Sequence, residues 1–138
     1  MKKPLLYEHP LSPYSQKNKI ALREKGIDFD LVTPDGMGFG TGGGAWAAAS
    51  PRLEIPALVD GDVSVFDSTI IQEYIEDRWP VPALMPTTAA ARARVRMIEE
   101  VMDTQYEAAT WGMMEVLVFQ RVAGAAGEAL LAKATAQI

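Results

Sequence analysis

Three prolines fall within seven residues, Pro80-Val81-Pro82-Ala83-Leu84-Met85-Pro86. Each lacks a backbone N–H and crowds the turn before it, so neither a helix nor an internal strand runs through the segment. The two sides differ in character. Before it lie short apolar runs separated by turn signals; after it comes a long helical pattern with almost no breakers. A length of 138 residues suits one compact domain or two small ones. The proline cut selects two, residues 1–79 and 87–138, with 80–86 as the linker.

In the first part, Pro4-Leu5-Leu6-Tyr7-Glu8 reads as a short buried strand. Ser12-Pro13-Tyr14-Ser15 then opens a helix, with serine as the N-cap and proline at the first helical position. That helix runs to Lys25 and stops at Gly26, the residue type preferred just past a helix end. Ile27 to Val32 reads as a second strand, so the order is that of a βαβ unit. Residues 34–44 form a glycine-rich loop, and Ala45 to Ala49 is a short helix ended by Pro51. Ile55 to Asp62 is a strand entering a turn, with Val63 to Phe66 as its hairpin partner. Thr69 to Trp79 is an amphipathic helix. The resulting order, βαβ-α-ββα, is an α/β sandwich: a small mixed sheet flanked by helices.

Past the linker, residues 88–122 read as one helix. Val95, Ile98, Met102, Tyr106, Ala109, Met113, Val116 and Leu117 follow the helical template, and Gly112 inside it costs about 1 kcal/mol against alanine and leaves room for a kink. Gly124 and Gly127 end that helix, and Glu128 to Gln137 starts another.

Composition removes several chemistries. There is no cysteine, which excludes disulfide scaffolds, cysteine nucleophiles and Cys-ligated zinc. A lone histidine, His9, leaves a metal cage or a Ser-His-Asp triad without partners, and it reads most simply as a polar residue at a strand end. A net charge of −5 argues against a nucleic-acid partner. Pro4, Glu8, His9 and Pro10 interrupt any signal-like stretch behind Lys2 and Lys3, and the uncharged run Gly36 to Pro51 is too short and glycine-rich to span a bilayer. The expectation is a cytoplasmic protein with no metal and no membrane partner.

The glycine loop satisfies G-x-G-x-x-G at Gly38-Phe39-Gly40-Thr41-Gly42-Gly43. A dinucleotide site needs that motif tight against a strand and opening a full helix. Here Pro34-Asp35-Gly36-Met37 intervenes and Ser50-Pro51 follows closely, so the reading is a surface loop. Three other segments carry more: Ser12-Pro13-Tyr14-Ser15, Ile55-Pro56 and Asp67-Ser68. Taken singly, each has a plain structural reading. Ser12 caps a helix, Pro56 is an ordinary proline, and Asp67 with Ser68 caps the next helix.

Taken together, they resemble the glutathione S-transferase superfamily. The resemblance runs through residues 6–17 (Leu-Tyr-Glu-His-Pro-Leu-Ser-Pro-Tyr-Ser-Gln-Lys), 19–27, 50–62 and 66–76, in the family's order and spacing. It implies a thioredoxin-like N-terminal domain that binds glutathione, followed by an all-α domain. Ser12 resembles the serine that activates the glutathione thiol in serine-type members, with Ser15 as the fallback. Ile55 is similar to the residue whose backbone pairs with the cysteinyl part of glutathione, and Pro56 to the family's cis proline. Asp67 and Ser68 resemble the pair that holds the γ-glutamyl end. Lys17, near the glycyl end, and Glu54, near the peptide, are further candidates; for Lys17 the competing reading is a solvated helix face. The Ser-Pro-Tyr-Ser segment also resembles the Cys-Pro-Tyr-Cys of glutaredoxins with both cysteines replaced, which excludes disulfide exchange.

Tyr106, Trp111, Met113 and Met114 lie at helical spacing, a pattern that core packing also produces. In the family the corresponding helix contributes to a hydrophobic electrophile site, which makes Tyr106, Trp111 and Met113 candidates for it. Arg92, Arg94 and Arg96 read as a solvated face. Family members continue through several more helices, so the helical domain is expected to be incomplete and part of the apolar face of residues 95–117 uncovered. The implied function is attack of activated glutathione on a small hydrophobic electrophile, in a homodimer. The alternatives are a non-enzymatic interaction protein on the same fold, and a related ether-cleaving or dehalogenating enzyme.

Overall fold

A computed structural model describes residues 2–37 and 41–137. The chain divides into two compact units, Met1–Pro86 and Thr87–Ile138.

The first unit holds β1 (Leu5–Tyr7), α1 (Pro13–Glu24), β2 (Asp30–Val32), α2 (Gly44–Ala49), β3 (Ala57–Asp60), β4 (Val63–Phe66) and α3 (Ser68–Arg78). This is the βαβ-α-ββα order expected. The sheet runs β2-β1-β3-β4, with β1 parallel to β2 and the other pairs antiparallel. Alternation along the strands builds two cores. Leu6 and Leu58 face one side, where they meet Ala21 and Leu22 of α1 and Ile71 and Ile75 of α3. Tyr7 and Ala57 face the other, where they meet Trp46 and Ala49 of α2. Such a period of two is what a sheet covered on both faces requires.

Helix α1 ends as its sequence indicates. Gly26 adopts φ 67, its N–H donates to the Arg23 carbonyl and the Ile27 N–H to the Leu22 carbonyl, a Schellman closure. That closure shortens β2. Ile27 looked like strand because it is apolar, but its N–H is already taken, and pairing begins at Asp30. Gly61 supplies the positive φ of 64 that the two-residue hairpin turn between Asp60 and Val63 demands. The glycine motif falls partly outside the description, since residues 38–40 are not among those described.

The proline segment is pinned from below. Lys25 Nζ lies 2.7 Å from Glu76 Oε2 and donates to the Pro82 carbonyl at 2.7 Å. The Glu76 carboxylate also accepts the N–H groups of Leu84 and Met85. Burial alone would push the Glu76 carboxyl up. The Lys25 hydrogen bond, the two backbone donors and the Lys25 charge outweigh it and hold the carboxyl below its ordinary value. The peptide bonds Ile55–Pro56 and Val81–Pro82 are cis.

The second unit corrects the single helix expected over 88–122. It contains α4 (Ala89–Val101), a π-helical turn (Met102–Tyr106), α5 (Glu107–Leu117) and α6 (Gly124–Gln137). Thr88 caps α4, accepting the Ala91 N–H. The irregularity is the π turn, not a kink at Gly112. Gly112 instead marks close packing: a Cβ there would meet Leu130 Cδ1 of α6 at 3.3 Å. Helix α5 stops at Leu117, where Gln120 takes φ 52. Gly124, expected to end a helix, begins α6, four residues before the predicted start at Glu128. No helix among the described residues is long and apolar enough to cross a membrane.

Candidate functional site

Strand register decides where the candidate residues emerge. Tyr7 is level with Ala57, and Ala57 with Phe66. The chain leaves β1 after Tyr7, enters β3 before Ala57 and leaves β4 after Phe66. The loop carrying Ser12, the Ile55–Pro56 step and the Asp67–Ser68 pair therefore issue from the same end of the strands of one sheet. Three segments separated by some forty and ten residues of chain meet there through strand pairing alone.

Ser12 is fixed by its surroundings. Its N–H donates to the His9 carbonyl at 3.0 Å, the Leu11 N–H donates to His9 Nδ1, and the Gln16 amide donates to the Pro10 carbonyl. As N-cap of α1, Ser12 Oγ accepts the Ser15 N–H at 3.2 Å. That bond uses a lone pair and leaves the hydroxyl proton without an acceptor among the described residues. A half-buried O–H beside the positive end of a twelve-residue helix is suited to an anion. Below the loop, Glu8 and Lys19 form a buried ion pair at 2.7 Å that ties the end of β1 to α1.

Ser15, the fallback candidate, is turned inward. Its side chain is fully buried and its Oγ has no hydrogen-bond partner among the described residues, as is true of the neighbouring Asn18 amide. Helical periodicity explains the burial. Ser15, Asn18, Ala21 and Leu22 share the inward face, whereas Ser12 precedes the helix.

Ile55 packs its side chain on the Tyr7–Trp46 core, and Pro56 is buried behind it. The Ile55 backbone makes no backbone hydrogen bond among the described residues, so its N–H and C=O remain available to an extended peptide. Asp67 takes φ 74, a conformation that costs a non-glycine residue roughly 1–3 kcal/mol and persists only where neighbours enforce it. Its Oδ1 accepts the Thr69 N–H at 3.0 Å, capping α3, while Oδ2 faces outward. Ser68 is buried in the first turn of α3.

The Lys17 ammonium donates to Thr69 Oγ1 at 3.2 Å, in the first turn of α3, next to the Asp67–Ser68 pair. Glu54 is exposed and pairs with Arg52, Oε2 to Nη2, at 2.6 Å. Arg52 Nη1 in turn stands 3.9 Å from Asp67 Oδ2. Arg52 is the one member of this cluster that the sequence reading did not single out. Its signal lay in the Ser50–Pro56 segment, two residues from a carboxylate that already was a candidate.

In the second unit, Tyr106 closes the π turn and is exposed. Trp111 is partly exposed with its ring 5.5 Å from that of Phe119, and Met113 is half-buried in α5. Val95, Met97, Ile98, Val101, Met102 and Leu117 are likewise exposed. No cluster of three or more metal-ligating side chains occurs among the described residues.

Comparisons with known proteins agree with this geometry. The family model described as "Glutathione S-transferase, N-terminal domain" matches residues 6–88. A stringent starvation protein A homolog of Coxiella burnetii is 36% identical over 93 residues, which is 67% of this chain and 43% of that protein. Glutathione S-transferase 3 of Zea mays is 33% identical over 136 residues, 96% of this chain and 61% of the relative. A crystal structure of a glutathione S-transferase from Methylobacillus flagellatus with glutathione bound superposes with a TM-score of 0.78 at 30% identity, covering 98% of this chain and 64% of that one. The chain thus spans roughly half the length of the curated relatives it matches.

Proposed function

The chain belongs to the glutathione S-transferase superfamily, and from that premise we propose that it binds glutathione at that end of the sheet and activates its thiol. The observation that carries the reading is the Tyr7–Ala57–Phe66 row, which delivers Ser12, Ile55–Pro56 and Asp67–Ser68 to one end of the sheet. Ile55 pairs its free N–H and C=O with the cysteinyl residue. Asp67 takes the γ-glutamyl ammonium, and Ser68 at the N-terminus of α3 takes the adjacent carboxylate. The thiol is then directed toward Ser12.

A thiol of ordinary pKa near 8.5 is mostly protonated at neutral pH. The Ser12 hydroxyl donates to the sulfur and favours the thiolate; a hydrogen bond to a charged group contributes about 1.5–3 kcal/mol. The α1 N-terminus adds about 0.3–1 kcal/mol. Together they lower the thiol pKa by about 1–3 units, at about 1.4 kcal/mol per unit. The thiol proton passes to solvent, and the thiolate attacks the electrophilic carbon of a small apolar substrate. The new C–S bond forms as the leaving group departs with its electron pair. The proposed setting is the cytoplasm.

Calorimetric titration of glutathione into the wild type and Ser12→Ala tests this. Absence of binding to the wild type removes the glutathione reading. Binding with undiminished turnover in the variant removes Ser12 from catalysis.

A second reading, a non-catalytic interaction protein on the same fold, is favoured by the 36% identity to a stringent starvation protein A homolog. Turnover of an aryl halide that disappears in Ser12→Ala counts against it. For either reading we propose a homodimer, which sedimentation showing only monomer would contradict.

A further inference from the structure

The turn leading into Pro56 carries a charge arrangement that the reading above leaves unused. Arg52 contacts Glu54 at 2.6 Å on one side and stands 3.9 Å from Asp67 Oδ2 on the other. The first distance is that of a charge-assisted hydrogen bond, and the second is too long for one. Asp67 Oδ2 therefore keeps its lone pairs for an incoming donor, and Arg52 keeps N–H groups for an incoming acceptor. Both side chains are about half exposed, 43% for Asp67 and 55% for Arg52, so a ligand reaches them without displacing anything buried.

The backbone beneath Arg52 is tightly held. Ser50 is fully buried; its Oγ donates to the Glu54 carbonyl at 2.8 Å and accepts the Glu54 N–H at 3.2 Å. The Leu53 N–H closes the turn onto the Ser50 carbonyl, and Leu53 itself is held at φ 53 with its side chain in the Tyr7–Trp46 core. The backbone of that turn is preformed, and the exposed Glu54 contact biases the guanidinium toward one orientation before a ligand arrives.

We propose that Arg52 is a specificity residue of this site: it joins Ser68 on the α-carboxylate of the γ-glutamyl end while Asp67 receives the ammonium on the same carbon. Glu54 is the positioning residue that keeps Arg52 within reach, rather than a contact to the peptide. The proposal rests on the glutathione reading. It adds that an anion–cation pair, Asp67 with Arg52, reads the α-amino-acid end, so that a thiol peptide lacking either charge is rejected.

The test uses three probes: glutathione, 4-aminobutyryl-cysteinyl-glycine, which lacks the α-carboxylate, and glutaryl-cysteinyl-glycine, which lacks the ammonium. Affinities are compared for the full chain and its variants. Arg52→Ala weakens glutathione and the glutaryl peptide by about tenfold and leaves the aminobutyryl peptide within about twofold. Asp67→Asn does the converse, sparing only the glutaryl peptide. Glu54→Gln lowers the preference for glutathione over the aminobutyryl peptide by about threefold, and Glu54→Asp restores part of it. Equal weakening of glutathione and the aminobutyryl peptide in Arg52→Ala overturns the assignment. So does tighter glutathione binding in that variant, which would make the guanidinium a competitor of the ammonium for Asp67. A wild type that binds none of the three probes overturns the glutathione reading itself, and is thereby distinct from a failure of Arg52 alone.

Discussion

Replacing Lys25 by methionine isolates the contact that pins the proline segment. The Lys25 side chain has no exposure and its Glu76 partner 11%, so the pair at 2.7 Å is shielded from competing water. Methionine keeps the apolar stem and removes the charge. Glu76 is then left in a nearly closed site with only the Leu84 and Met85 N–H groups, and the Pro82 carbonyl loses its donor. Breaking a buried pair from one side costs about 3–5 kcal/mol. The two surviving backbone donors place Lys25→Met at the low end, about 3 kcal/mol. Glu76→Gln strands the fully buried ammonium and is expected to cost about 4 kcal/mol. Because both variants break one interaction, the double variant falls short of their sum by about 2 kcal/mol.

Urea unfolding with an unchanged m-value measures each step. The dependence on pH supplies the sign. The Glu76 carboxyl is held below its ordinary value of 4.5, so its contribution is present above that value and disappears as pH falls through the lower folded pKa. The gap between wild type and Lys25→Met must therefore close in acid. A loss below about 1 kcal/mol at neutral pH, or a gap unchanged down to low pH, refutes the reasoning.

Two further outcomes follow from packing. Ser50→Ala removes the hydroxyl that holds both the N–H and the carbonyl of Glu54 in a buried turn; it should cost about 2 kcal/mol in chemical unfolding and weaken glutathione binding with it. Gly112→Leu forces a side chain into the gap filled by Leu130 and Ala134 and should lower thermal stability by about 1–3 kcal/mol, whereas Gly112→Ala, with its Cβ at 3.3 Å from a movable methyl, should be close to neutral.

The parts legible in the sequence are those set by short-range chemistry. Ser12, Pro13 and Gly26 bound α1 because capping and a left-handed residue act within one turn. The Asp60–Val63 hairpin announced itself through Gly61. Ile27 misled because an apolar residue after a helix looks the same whether its N–H joins a sheet or closes a Schellman motif. The π turn at Met102–Tyr106 was invisible, since no glycine or proline marks it and the apolar spacing runs on. Gly112 drew attention for the wrong reason: its missing Cβ lets α6 approach, and that partner lies some eighteen residues away. The site divides in the same way. The burial of Ser15 was readable from its place on the inward face of α1. The row of Tyr7, Ala57 and Phe66, and the approach of Arg52 to Asp67, depend on strand pairing across the chain and become visible only in three dimensions.

The central claim, that Ser12 stabilises a thiolate on bound glutathione, is tested most directly by titrating the thiolate absorbance of the complex. In the wild type the bound thiol should ionise about 1–3 units below its ordinary 8.5. Ser12→Ala and Ser12→Gly should each raise it by about 1–2 units. The glycine variant, whose loss of capping costs only a few tenths of a kcal/mol, separates this effect from the stability of α1. A bound thiol that ionises near 8.5 in the wild type, or at an unchanged pH in both variants, contradicts the account.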